Sequence, residues 1–321
     1  MWIADKWKDY EVIDTGNSEK LERWGKYILV RPDPQVIWDR DEGDTRWKKI
    51  NAHYHRSSKG GGEWEFFDLP RQWTIRYESL GLSFNLKPFS FKHTGLFPEQ
   101  AVNWEWFSQI IAAHSGRRPR VLNLFAYTGG ATCAAAKAGA FVTHVDSSKG
   151  MVNWAKENAQ LCGLADTSVR WIVDDCRKFV EREIRRGHKY DAIIMDPPSY
   201  GRGPKGEIWK METSIYPFIR ECAKLLSDDA LFFLVNSYTT GLQPGVLTYM
   251  LSTALVPSFG GRVVSDEAGL PVTSFPGALS GRLYTGLAGG SDAERAAGSH
   301  GSPLVLPCGA AGRWTRQGDI S

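Results

Sequence analysis

Asp196-Pro197-Pro198-Ser199-Tyr200 follows the apolar run Ala192-Ile193-Ile194-Met195 and precedes a loop rich in glycine and basic residues. Two consecutive prolines cannot continue a sheet ladder, so a strand reaching them must stop and leave the Asp196 carboxylate at the sheet's carboxyl edge. That edge is where open α/β sheets bind ligands. An Asp-Pro-Pro turn can also simply terminate a strand, so its meaning depends on what else gathers at the same edge.

A second constellation lies about seventy residues upstream. Residues 121–125 read as a buried strand, and Ala126-Tyr127-Thr128-Gly129-Gly130 turns it into an alanine-rich helix over about 131–138. Glycine at that turn lets the backbone approach a ligand and leaves the first helical N–H groups open. A further apolar strand, 141–145, ends on Asp146, 17 residues after Gly129. A carboxylate there, closing the second strand of a βαβ unit, can accept hydrogen bonds from ribose hydroxyls. The turn lacks the Gly-x-Gly-x-x-Gly cradle that a dinucleotide pyrophosphate needs. A ligand with ribose and adenine but no phosphate fits better, and S-adenosylmethionine is such a ligand.

These residues resemble the class I S-adenosylmethionine-dependent methyltransferases, and within them the group related to the large-subunit 23S rRNA methyltransferases. The resemblance runs through Asn-Leu-Phe-Ala-Tyr-Thr-Gly-Gly (Asn123 to Gly130), Val-Asp-Ser-Ser (Val145 to Ser148), Asn158 with Gly163, Asp174-Asp175-Cys176 and the Asp-Pro-Pro-Ser-Tyr turn. It covers roughly residues 92–240 and weakens on both sides. It implies an α/β fold with a Rossmann-like seven-stranded sheet whose last two strands form a hairpin. It also implies that Phe125, Ala126, Tyr127, Thr128 and Gly129 wrap the methionine part of the cofactor and that Asp146 holds the ribose. Ser147 and Ser148 would flank the adenine, and Asp175 with Cys176 would meet its polar edge. Asp196 and the Pro197 backbone would face the methyl group and its acceptor. The family has a similar Gly-aromatic-acid-Gln stretch over the cofactor, which brings in Phe97 and Gln100. For Asp174 and Asp175 a helix cap ahead of Arg177-Lys178-Phe179-Val180 is the competing role.

The elements that must position these groups divide the chain unevenly. Residues 1–90 read as a small β-rich accessory or recognition domain, with short strands over 26–31, 63–67, 73–77 and 83–86. Nine of the 13 tryptophans fall within the first 106 residues; exposed ones could stack on bases, whereas most are expected to fill a core. Residues 91–321 read as the catalytic domain, entered through the helix bearing Trp104, Trp106, Phe107, Ile110 and Ile111. Helices are expected at about 214–226 and 246–255, and strands at 230–235, 262–264 and 304–306. The Gly-, Ala- and Ser-rich residues 276–302 read as an insertion between the last two strands, expected to be a mobile linker rather than a functional lid.

Composition bounds the function. At 321 residues, 42% hydrophobic, the chain allows two domains and a core large enough for autonomous folding. No apolar run approaches the ~20 residues of a membrane span, and the charged, Trp-rich amino terminus is unlike a signal peptide, so a cytoplasmic protein is expected. The five cysteines form neither a disulfide framework nor a Cys-x-x-Cys metal motif. His53 and His55 have no accompanying ligand motif, and no metal is expected. A net charge of +3 requires a local patch for nucleic-acid binding. Arg117, Arg118 and Arg120, or Arg182, Arg185 and Arg186, read as solvated faces. Arg202, Lys205 and Lys210 follow the Asp-Pro-Pro turn, and Gly201, Gly203 and Gly206 among them would let that loop close over a substrate.

The acceptor follows from reactivity. Carbon 5 of cytosine needs a cysteine thiolate to add to the ring first. Relatives making 5-methylcytosine are expected to keep that cysteine at the end of the fifth strand, where this chain has Asn236-Ser237-Tyr238. Cys308 offers a thiol only on the last strand. The expectation is therefore methylation of a base nitrogen of RNA, with ribosomal RNA as partner and Tyr200 stacking on an unpaired or flipped base. For an exocyclic amine, Asp196 and the Pro197 carbonyl would accept its two N–H bonds; for a ring nitrogen such as guanine N7 no proton has to leave. A protein or small-molecule methyltransferase, a 5-methylcytosine enzyme using Cys308 and a non-catalytic nucleic-acid binder are the alternatives.

Overall fold

The computed structural model describes residues 1–57, 61–89, 92–164, 168–202, 208–274 and 304–316. The 276–302 insertion and the loop residues Gly203, Lys205 and Gly206 lie outside them.

A two-residue strand, β1 (Trp2–Ile3), is followed by an antiparallel meander, β2 (Tyr10–Gly16), β3 (Glu19–Trp24) and β4 (Tyr27–Pro32). Asn17 and Ser18 join β2 to β3 with φ of 52° and 64°, the left-handed pair that a two-residue hairpin turn requires. β5 (Ala52–Arg56) adds in parallel to β4, and β6 (Gly62–Phe66) closes this five-stranded sheet. A separate hairpin follows, β7 (Trp73–Tyr77) and β8 (Leu82–Leu86), with Trp73, Ile75 and Tyr77 alternating inward.

From there helices and strands alternate: α1 (Ala101–Ala113), β9 (Arg120–Leu124), α2 (Gly130–Lys137), β10 (Phe141–Asp146), α3 (Lys149–Leu161), β11 (Val169–Val173), α4 (Cys176–Arg185) and β12 (Ala192–Met195). A short hairpin, β13 (Tyr200–Arg202) with β14 (Ile208–Lys210), interrupts the alternation. It resumes with α5 (Met211–Ala223), β15 (Phe232–Ser237), α6 (Pro244–Phe259), β16 (Arg262–Pro271) and β17 (Val305–Thr315). The main sheet runs β1-β16-β17-β15-β12-β9-β10-β11, parallel except for β17. The seven expected strands are present, the last two as an antiparallel pair. The eighth, β1, pairs Trp2 with Ala268 and Ile3 with Gly269, so the first residues of the chain lie on the catalytic sheet. Two residues carry no periodicity from which that pairing could be read.

β17 is also longer than residues 304–306. Its stretch Gly309-Ala310-Ala311-Gly312 reads locally as loop, yet small residues are what α6 requires there: a Cβ on Gly312 would come within 2.7 Å of Leu251.

The sheet's side chains divide by alternation. Val121, Val142, Ala192, Ile194, Phe232 and Leu234 face one core, shared with α1, α2 and the amino-terminal Trp24, Leu29, Ile75 and Phe84. Leu122, Leu124, Val145, Ile193, Met195, Phe233 and Val235 face the other, under α4, α5 and α6. The amino-terminal strands are thus packed onto one face of the catalytic sheet. Trp24, Trp47, Trp73 and Trp104 are buried within the molecule, while Trp38 is exposed.

Candidate active site

The turn from β9 into α2 is tightly wound. Phe125 and Tyr127 have φ of 55° and 49°, a region that costs non-glycine residues energy and persists only where surroundings impose it. The imposing contacts are visible. Phe125 N–H donates to Cys176 Sγ (3.3 Å), Ala126 N–H to Val145 O (3.1 Å) and Tyr127 N–H to Asp146 Oδ2 (2.9 Å). Thr128 Oγ1 donates to Gly95 O (2.5 Å), and Asn158 Nδ2 donates to Thr128 O (2.8 Å). Gly129 has φ of 83°, and a Cβ there would lie 2.8 Å from the Ala155 methyl, so glycine is required on both counts.

Asp146 closes β10 and accepts a second bond from Ser148 N–H (2.8 Å). Burial pushes its carboxyl upward, against the pull of these two backbone donors. A carboxylate has about four lone-pair sites, so acceptor capacity is left for two hydroxyls. The Tyr127 hydroxyl is buried with no hydrogen-bonding partner among the described residues, and burial raises it to about 12.

On the neighbouring strands, Met195 of β12 pairs with Val235 of β15, which brings the next residues, Asp196 and Asn236, side by side at the carboxyl edge. Burial, then the charge of Glu99, pushes the Asp196 carboxyl up to about 7. Pro197 is buried, whereas Tyr200 is 51% exposed. The β13–β14 hairpin is pinned above this turn. Trp209 Nε1 donates to Pro198 O (2.7 Å), its ring lies 5.3 Å from that of Phe125, and Met211 N–H donates to Ser199 O (3.0 Å). Thr239 Oγ1, after β15, donates to Ser199 Oγ (2.7 Å).

Phe97, Gln100, Phe125, Ala126, Tyr127, Thr128 and Asp196 line one cleft, together with Asn123, Gly130 and Asn236. The remaining residues singled out from sequence lie elsewhere along the strand ends. Ser147 and Ser148 are exposed beyond Asp146, and Ser148 accepts from Met151 N–H as the cap of α3. Asp175 caps α4, accepting from Lys178 N–H (3.0 Å), and Asp174 pairs with Arg182. Cys176 is buried beneath the Phe125 N–H, with its thiol pushed up by burial. Cys308 is outside the cleft lining; its Sγ–H donates to Leu306 O (3.4 Å), and burial holds the thiol well above its ordinary value. His53 and His55 are each bonded to a glutamate, Glu19 and Glu65. Lys210 pairs across the hairpin with Tyr200, while Arg117 and Arg186 are engaged by Asp191 and Glu183.

No motif assigns a site role to Asn123 or Glu99, or to the side chains of Asn236 and Tyr238, yet Asn123 and Asn236 line the cleft. Tyr238 accepts from Gln100 Nε2 (2.6 Å) and donates to Glu99 Oε1 (3.0 Å), and its ring lies 5.7 Å from that of Phe97. Burial raises the Glu99 carboxyl. The polar run after the fifth strand was the available signal, because polar residues directly after a buried parallel strand fall at the ligand edge.

The orphaned Tyr127 hydroxyl, the glycine-only approach at Gly129 and the spare acceptors of Asp146 suit an adenosyl group carrying an amino acid. Comparison with known proteins agrees. A family model described as S-adenosylmethionine-dependent methyltransferase matches residues 36–228. The "Ribosomal RNA large subunit methyltransferase K/L" of Shewanella frigidimarina is 30% identical over 191 residues, 59% of this chain and 26% of the relative. That of Shewanella sediminis is 32% identical over 249 residues, 72% of this chain and 30% of the relative. The chain thus spans less than a third of the length of these curated relatives. The crystal structure of an S-adenosylmethionine-dependent methyltransferase from Agrobacterium tumefaciens superposes with a TM-score of 0.84 at 34% identity, covering 98% of this chain and 93% of that one. SMU.776, a putative methyltransferase complexed with SAH, shares the fold, with a TM-score of 0.64 at 20% identity over 84% of this chain and 71% of its own.

Proposed function

The chain belongs to the S-adenosylmethionine-dependent methyltransferases, and from that membership we propose that it methylates a base nitrogen of RNA, with ribosomal RNA as the substrate. The observation that carries the reading is the position of Asp196: it lines the same cleft as the Phe125 to Thr128 turn, directly before the Pro197-Pro198 stop. The names of the curated relatives support RNA as the acceptor, and the high-held thiol of Cys308, off the cleft, supports nitrogen over carbon.

When bound, S-adenosylmethionine supplies an electrophilic methyl group on a sulfonium. Phe125, Ala126, Tyr127, Thr128 and Gly129, with Phe97 and Gln100, would hold its amino-acid end, and Asp146 would accept from the ribose. Ser147, Ser148 and the Asp175-Cys176 backbone would border the adenine. Asp196 and the Pro197 carbonyl hold the acceptor nitrogen in line, where positioning supplies much of the rate. For an exocyclic amine Asp196 also accepts an N–H bond, which only its ionised form does well, so transfer falls as pH drops through about 7. Tyr200 stacks on the base, and residues 1–90 serve RNA recognition. With RNA as substrate the enzyme is read as cytoplasmic. No helix among the described residues is long and apolar enough to cross a membrane.

The test is tritiated methyl transfer onto RNA from a strain lacking this protein, followed by nucleoside analysis. Label is expected in one methylated nucleoside. Label appearing only in protein or small metabolites overturns the substrate.

A further inference from the structure

Arg313, on β17, is buried, with its guanidinium carbon 3.5 Å from the ring centroid of Trp2 and 4.9 Å from that of Trp106. Its Nε and Nη2 both donate to Asn103 Oδ1, at 3.0 and 2.7 Å. A guanidinium has donors and no acceptor, so this contact decides which end of the Asn103 amide is oxygen. Asn103 Nδ2 then donates to Gln100 Oε1 (2.9 Å) and to Asn236 Oδ1 (3.0 Å). Both of those amides must turn their oxygens toward Asn103 and their NH2 groups away. That of Gln100 goes to the Tyr238 hydroxyl. That of Asn236 keeps its hydrogens for the cleft, which Asn236 lines beside Asp196.

Asp196 and Asn236 follow a paired couple on adjacent parallel strands, Met195 and Val235, and both line the cleft at that edge. One offers an acceptor and the other a donor. We propose that Asn236 is an acceptor-recognition residue, whose amide N–H donates to the ring nitrogen beside the methylated amine while Asp196 accepts from the amine itself. The site then reads the –N=C–NH2 edge of a base. Adenine, cytosine and the N2/N3 side of guanine have that edge, and uracil has none. The N7/O6 edge of guanine offers two acceptors and no donor, so it leaves Asp196 without a partner. This inference rests on the reading of the enzyme as an RNA base-nitrogen methyltransferase and deepens it.

The experiment is a two-by-two cycle. Nucleoside analysis first identifies the labelled base. Two RNAs are then compared, one with the natural base and one with its deaza analogue, in which C–H replaces the ring nitrogen next to the amine. The wild-type chain is expected to lose about tenfold or more in kcat/KM on the deaza RNA, the scale of one hydrogen bond at a desolvated site. Asn236→Ala should show a similar loss on natural RNA and no further loss on the deaza RNA. Its affinity for S-adenosylmethionine, measured by calorimetry, should stay within about twofold.

A full deaza penalty in Asn236→Ala overturns the inference, as does equal use of both RNAs by the wild type, or label on guanine N7 or on uracil. Where the variant melts early, the wild-type comparison of the two RNAs decides alone. Labelled RNA with no deaza effect refutes this inference only; no label in RNA at all refutes the functional reading with it.

Discussion

The two walls of the cleft are made of different material. The wall proposed for the cofactor is backbone: the turn of Phe125, Ala126 and Tyr127, whose N–H groups are tied back to Cys176, Val145 and Asp146, then a left-handed glycine, with Asp146 receiving two amides. The wall proposed for the acceptor is side chain: Asp196 and Asn236 line it, and Asn103 and Arg313 stand behind Asn236, so it draws on α1, β15, β17 and the loop after β12. A backbone cradle is specified by local geometry and suits a ligand common to a whole family. A wall of side-chain amides can be changed one residue at a time, which suits the part that tells one acceptor from another.

That contrast is breakable. Asp196→Ala should have the largest effect, lowering methyl transfer by about a thousandfold, within the range for a positioned acid–base group. Cofactor affinity should stay measurable by calorimetry, and unchanged turnover would remove the residue from its role. Gly129→Val should do the reverse, costing about a hundredfold in cofactor affinity through the strained φ and the contact with Ala155. Were it to raise the KM for RNA and spare the cofactor, the two walls would not be separate.

Asn158→Ala tests the support of the backbone wall. The residue is fully buried, donates to Thr128 O and accepts from Asn85 N–H (2.8 Å), so its loss strands two buried backbone groups. Each costs about 1–3 kcal/mol. A drop in melting temperature with weakened cofactor binding is expected, and the deaza discrimination should survive.

The smallest effect concerns Asp196 as a buried charge. Its carboxyl titrates near 7 in the fold against 3.8 ordinarily, so the folded state holds the proton more tightly. The stability this contributes is present at low pH and is lost as pH rises through about 7. Asp196→Asn should therefore melt about 2–5 °C higher than the wild type at pH 8. The gap should shrink as the pH is lowered; a gap constant from pH 5 to 8 would show that ionisation of Asp196 is not its origin.

The same contrast explains what could be read from the chain alone. Phe125 to Gly129, Asp146 and Asp196 were legible because each sits where an apolar run meets a turn, a local pattern. That these strands form a largely parallel sheet followed from their alternation with helices, whereas their spatial order did not. Phe97 and Gln100 came only through the family resemblance. Arg313, Asn103 and Tyr238 were not legible, since their roles arise from contacts across more than a hundred residues that no window of sequence contains. Asp175 showed both a family role and a capping role, and the hydrogen bond to Lys178 is the capping one. The strand β17 was foreshortened because its glycines and alanines answer to the helix packed on them rather than to strand propensity.

The seating of β1 bears on how the enzyme is born. Residue 2 pairs with residue 268, and Trp2 lies on the guanidinium that orients Asn103. A chain emerging amino terminus first holds this strand without a partner until β16 and β17 have left the ribosome, and contacts of such long range form late. The cradle from β9 to β11 can close while synthesis is still under way. The edge proposed to choose a substrate therefore comes into register only after β16 and β17 are made, later than the strands that carry the proposed cofactor cradle.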